Sequence, residues 1–75
     1  MKNKIKEYRT KTRMTQQELA DKVNVSSRTI ISLEKGQYKP SIMLAYKIAF
    51  LFNATIEDVF CLPENEILEE KNENP

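Results

Sequence analysis

The sequence predicts an all-α fold: a compact bundle of five helices followed by a short acidic C-terminal tail. Three observations predict it. Apolar residues recur three or four positions apart through most of the first sixty residues. Ser or Thr stands at a helix-start position before four of these stretches, at Thr15, Ser26, Ser41 and Thr55. The chain holds one glycine and no alternating strand pattern. Seventy-five residues make one domain, read as 1–62, with 63–75 as the tail. A chain this short buries only a small core, so marginal stability is expected.

The first helix is placed at about Asn3 to Lys11, with Ile5 and Tyr8 at helical spacing. The second opens at Thr15, where Thr15-x-x-Glu18 is a capping box and Met14 with Leu19 fits a hydrophobic staple. Its apolar face is Leu19, Ala20 and Val23. The third opens at Ser26, with Val25 and Ile30 in staple positions, and stops at Gly36. A sole glycine just past a helix predicts a left-handed C-terminal cap. The fourth follows Pro40 with Ser41 as N-cap and carries Ile42, Leu44, Ala45, Ile48, Ala49 and Phe52. Being apolar over much of its surface, it is expected to be the central, most buried helix. A short fifth opens at Thr55 with Ile56, Val59 and Phe60. The residues from Pro63 onward are acidic and Asn-rich and are expected to fray, with at most a transient helical turn near Glu66 to Lys71.

Only Asn24 and Val25 separate the second pattern from the cap of the third. Two short capped helices so joined form a helix-turn-helix, a unit whose second helix enters the DNA major groove. The helical wheel shows which face of the third helix is free to do so. With Ile30 at 0° and 100° per residue, Leu33 falls at about 300° and Glu34 at about 40°, which puts the core near 330°. The opposite face collects Arg28 at about 160°, Ile31 at about 100°, Ser32 at about 200° and Lys35 at about 140°, with Ser27 on the edge at about 60°. That face carries donors and no carboxylate.

The expected roles follow from donor chemistry. Arg28 pairs with guanine O6 and N7, Ser27 and Ser32 bond base edges, and Ile31 packs on a thymine methyl. The alternative for Ile31 is a protein contact. Lys35 lies near a phosphate; as surface charges, Arg28 and Lys35 are alternatively only solvated. Gln16, with Thr15 at the same helix start, meets a phosphate at the helix amides. Arg13, Gln37 and Lys39, with Thr12 and Tyr38, lie on loops flanking the unit; Tyr38 is equally suited to packing on the fold.

Charge is sorted along the chain. Residues 1–47 hold eleven Lys/Arg against four Asp/Glu, giving +7; residues 48–75 hold one against seven, giving −6. A polyanion therefore meets a basic front and an acidic back. There is no His, no metal-ligand cluster and no phosphate-cradling glycine loop, so neither catalysis nor a cofactor is expected. The apolar run Ile42 to Phe52 is interrupted by Lys47 and is too short to span a bilayer. Met1-Lys2-Asn3-Lys4 is not followed by a signal-peptide core. Lone Cys61 fits a reducing cytoplasm and is read as a buried or interface thiol.

The motifs Ile5-Lys6-Glu7-Tyr8-Arg9, Met14-Thr15-Gln16-Gln17-Glu18-Leu19-Ala20, Val25-Ser26, Thr29-Ile30, Leu33-Glu34-Lys35-Gly36, Pro40-Ser41, Lys47-Ile48-Ala49 and Phe52-Asn53 together resemble the Cro/lambda-repressor type of helix-turn-helix regulator, the xenobiotic-response-element family. The resemblance covers about residues 3–60 and is closest to very small bacterial or phage members. It implies a five-helix lambda-repressor-like domain that binds operator DNA as a two-fold homodimer. It assigns Gln16 to phosphate, Ser27, Arg28 and Ser32 to bases, and Ile31 to a position that varies between members. It also implies an ion pair between Arg9 and Glu34. Ser27-Arg28 departs from the Arg-Gln of many relatives, so no relative's operator transfers to this chain.

A dimer needs a surface of its own. Phe50 and Leu51 are not explained by the core face of the fourth helix, and with Phe60, Cys61 and Leu62 they form the expected apolar patch. The expected partners are operator DNA and a second copy, with no membrane and no small-molecule ligand. A protein-interaction module of the same fold, antitoxin-like or coactivator-like, is the alternative function.

Overall fold

The computed structural model describes residues 1–37 and 39–73, with side chains to residue 69. Tyr38 lies outside the described residues. Within them are six helices and no strand: α1 (Ile5–Lys11), α2 (Gln16–Lys22), α3 (Ser27–Glu34), α4 (Ile42–Leu51), α5 (Ile56–Val59) and α6 (Leu62–Glu73).

Local signals set the starts of four helices. The side chains of Thr15, Ser26, Ser41 and Thr55 each accept the backbone N–H three residues on, so one orphan donor at each start is satisfied. At α2 the box closes, because the Glu18 carboxylate also accepts the Thr15 N–H at 2.9 Å. Asn3 lies outside α1: its Oδ1 accepts the Ile5 N–H, and its Nδ2 donates to the Leu33 carbonyl, tying the start of α1 to α3.

The ends of α1, α3 and α4 follow one pattern. After α3, Gly36 N–H bonds the Leu33 carbonyl and Gln37 N–H bonds the Ser32 carbonyl, with Gly36 at φ +73°. This is the Schellman arrangement. Arg13 (φ 55°) and Asn53 (φ 54°) take the equivalent left-handed positions after α1 and α4.

The core is one cluster. Ile5, Leu19, Ala20, Val23, Ile30, Leu33, Ala45, Ile48, Ala49, Val59 and Phe60 are buried together. Tyr8 stacks on Phe52 at its edge, with centroids 5.6 Å apart.

The structure corrects three expectations. Residues 62–73 are helical rather than frayed. Pro63 sits in the first turn, where proline is tolerated, and buried Asn65 locks the helix down. Its Nδ2 donates to the carbonyls of Lys2, Phe60 and Cys61, and its Oδ1 accepts the Lys2 N–H. Second, α4 is buried only through Ala45, Ile48 and Ala49, while Ile42, Met43, Tyr46 and Phe50 face water. Third, Phe60 and Cys61 are buried within the single chain. Phe60 closes the core below α5, and Cys61 turns the chain into α6 at φ 51°. Neither is available to a partner.

Candidate nucleic-acid interface

Helices α2 and α3 form the most extensive helix pair in the fold. Ile30 and Leu33 are the buried residues of α3. With those two pinned, Arg28 and Lys35 are exposed, and Ser27, Ile31 and Ser32 are half-buried around them. The N-cap Ser26 bonds both the Thr29 N–H and the Thr29 hydroxyl, fixing the first turn from which Ser27 and Arg28 project.

Glu34 is the only carboxylate on α3, and its charge is consumed internally. One carboxylate oxygen accepts Arg9 Nε at 2.7 Å; the other accepts Arg9 Nη2 at 3.2 Å and Gln16 Nε2 at 3.0 Å. Arg9 Nη1 also donates to the Met14 carbonyl. The two charged side chains retain only 12% and 6% exposure. Donation of its hydrogen bonds to the Glu34 carboxylate raises the Arg9 pKa above its ordinary value. A charge satisfied this way projects little negative potential onto the outer face of α3.

Other side chains divide by how free they are. Arg13 and Gln37 are exposed. Thr15 is engaged in the capping box through both its hydroxyl and its N–H. Gln16 is half-buried, with its amide held by Glu34. Lys39 is exposed but ion-paired with Glu69 of α6, and Lys2 pairs with Glu64 at 2.9 Å. Acidic α6 is thus joined to two basic residues of the front half.

The model of the helix-turn-helix family matches residues 5–59, from the start of α1 to the end of α5. The chain belongs to the Cro/cI-type helix-turn-helix family. Among relatives of this regulator family, an uncharacterised HTH-type transcriptional regulator of Archaeoglobus fulgidus is 55% identical over 71 residues, covering 95% of this chain and all of the relative. A second, from Methanocaldococcus jannaschii, is 52% identical over 88% of this chain and all of its own length. A third, YgzD of Bacillus subtilis, is 45% identical over 85% of this chain and 97% of its own. In fold, the helix-turn-helix chain is similar to the clp gene regulator ClgR from Corynebacterium glutamicum. The TM-score is 0.70 at 22% identity, over 91% of this chain and 72% of that one. α6 lies beyond the stretch matched by the family model.

For this helix-turn-helix protein the apolar surface differs from the patch read in sequence. Phe50 is exposed and Leu51 and Leu62 are half-buried, while Phe60 and Cys61 are interior. Ile42, Met43 and Tyr46 join Phe50 on the outer face. The sequence reading counted Ile42 among the apolar residues of a largely buried helix and did not single out Met43 or Tyr46. On the wheel they lie within about 100° of one another, a signal hidden because apolar residues occupy nearly every position of the helix. Asn65 was missed altogether, because a lone asparagine in an Asn-rich tail has no pattern to betray its burial.

Proposed function

We propose that the protein is a sequence-specific DNA-binding regulator of transcription, a repressor that binds a palindromic operator as a homodimer with α3 in the major groove. The observation that carries this reading is the outer face of α3: Arg28, Lys35, Ser27 and Ser32 are presented together while Glu34 is neutralised by Arg9 and Gln16. Such a face suits the acceptor-rich edge of guanine beside a line of phosphates. In this reading Arg28 pairs with a guanine, Ser27 and Ser32 bond neighbouring base edges, and Ile31 covers a thymine methyl. Lys35, Arg13, Gln37 and the second amide N–H of Gln16 contact phosphates. Lys39 exchanges Glu69 for phosphate on binding. Thr15 supports the contact by holding the start of α2.

One protomer presents few base-reading groups, and two related by a two-fold axis double them on half-sites about 34 Å apart. The relatives' shared name, HTH-type transcriptional regulator, supports the same reading. The test is selection of bound duplexes from a randomised library at two salt concentrations. Enrichment of a palindrome with half-sites one helical turn apart is expected. Salt-sensitive retention without enrichment would reduce the protein to a non-specific binder. Absence of binding at both salts would favour a protein-interaction role.

A further inference from the structure

The outer face of α4 carries a run of apolar side chains that the fold does not use. Ile42, Met43, Tyr46 and Phe50 are 78%, 58%, 51% and 72% exposed. They follow the i, i+4, i+8 row of the helix, with Met43 beside it. The rings of Tyr46 and Phe50 lie beside each other in this row, tilted, with centroids 5.9 Å apart. The core of α4 lies on its other side, at Ala45, Ile48 and Ala49. At the N-terminal end the row continues into a groove whose walls include Ile42, Pro40, Ile56 and Leu62.

We propose that this face is the protomer–protomer interface: α4 packs on α4 of a second copy across a two-fold axis, with Tyr46 at its centre. The proposal rests on the homodimer reading above and gives it a surface. Two arguments select a second copy. The first is area. Large side chains of this kind offer on the order of 200 Å² each, so the four leave about 500 Å² in water, roughly a tenth of the protomer's 5324 Å². Doubling it reaches the ~1,000 Å² from which specific interfaces begin; the groove by Leu62 adds to it. The second is charge. Residues 1–47 carry +7, so two identical copies repel through most of that surface. The row of four holds no charged group, and there two copies can meet without opposing like charges. Lys47 flanks the row and stays in water.

Two-fold symmetry makes the interface isologous. Tyr46 lies midway between Ile42 and Phe50, so it meets its own counterpart whichever way the two helices run. Phe60 lines the groove but is only 1% exposed, and Cys61 takes no part.

Analytical ultracentrifugation of the full chain, without DNA, across the micromolar range tests this. Wild type is expected to dimerise. Phe50→Glu and Ile42→Glu are expected to raise the dimer dissociation constant at least about thirty-fold with unchanged helical circular dichroism, while Gln17→Glu, away from the row, leaves it alone. Tyr46→Cys is expected to form a covalent dimer on mild oxidation, since native Cys61 is buried; Gln17→Cys is not. A wild type that stays monomeric throughout, or a folded Phe50→Glu that dimerises like wild type, overturns the proposal. Failure of the DNA reading shows separately, as a dimer that selects no sequence.

Discussion

At the scale of single residues, the outer face of α3 depends on what happens to one carboxylate. Arg9 and Glu34 share two hydrogen bonds with little exposure, and removing either partner strands the other. Loss of one half of such a pair costs about 3–5 kcal/mol. Arg9→Ala is therefore expected to lower Tm by more than about 10 °C; a shift of a degree or two would mean that the pair contributes little. Arg28 and Lys35 are expected to separate by kind. Arg28→Ala should cost about 1–3 kcal/mol on the preferred duplex and flatten preference at one base pair. Lys35→Ala should weaken all duplexes alike and lower the salt slope by about one. Competition binding on matched and single-mismatch duplexes distinguishes them. The inward turn of Glu34 was legible in the sequence because a helix fixes direction at 100° per residue. The hold of Glu34 on Gln16 was not, since it depends on how α2 lies against α3.

At the scale of elements, caps do much of the specification. Gly36 is the one glycine, and it stands where the backbone is left-handed and a Cβ would lie 3.1 Å from the Met1 carbonyl oxygen. Gly36→Ala combines about 1–2 kcal/mol of backbone cost with that close contact. Thermal melts are expected to show a loss of at least about 4 °C. The α2 capping box gives a pH signature. The Thr15 backbone N–H, and then its hydroxyl, hold the Glu18 carboxyl below its ordinary 4.5. A depressed folded-state value means that the contribution is present above the ordinary value and lost as pH falls through the folded one. Melting temperature should decline below about pH 5, less steeply in Glu18→Gln than in wild type. Equal slopes would show that the box does not titrate with unfolding. These starts were readable because a cap is a local device: Thr15, Ser26, Ser41 and Thr55 each act on an N–H three residues on. Helix α6 was not, because its anchor joins Asn65 to Lys2. α4 misled for another reason: a stretch apolar at every position but Tyr46 and Lys47 says little about which side meets the core.

At the scale of the whole molecule, the +7 and −6 segments do not remain apart. α6 folds back so that Glu64 and Glu69 reach Lys2 and Lys39. Exposed pairs of this type add little stability; the durable link is Asn65, buried with four hydrogen bonds. Asn65→Ala leaves backbone partners unsatisfied and should cost about 1–3 kcal/mol, read by chemical denaturation. The kinetic consequence is more specific. α2 and α3 meet across about ten residues, whereas the Lys2–Asn65 bonds span 63 positions. Closing the longer loop costs roughly 1.5 kcal/mol more in chain entropy, so it is expected to form after the rate-limiting step. In stopped-flow experiments Asn65→Ala should then leave refolding nearly unchanged and accelerate unfolding. The clasp between the chain's two ends governs how long the native state lasts, while the speed of its formation is set within the helix-turn-helix.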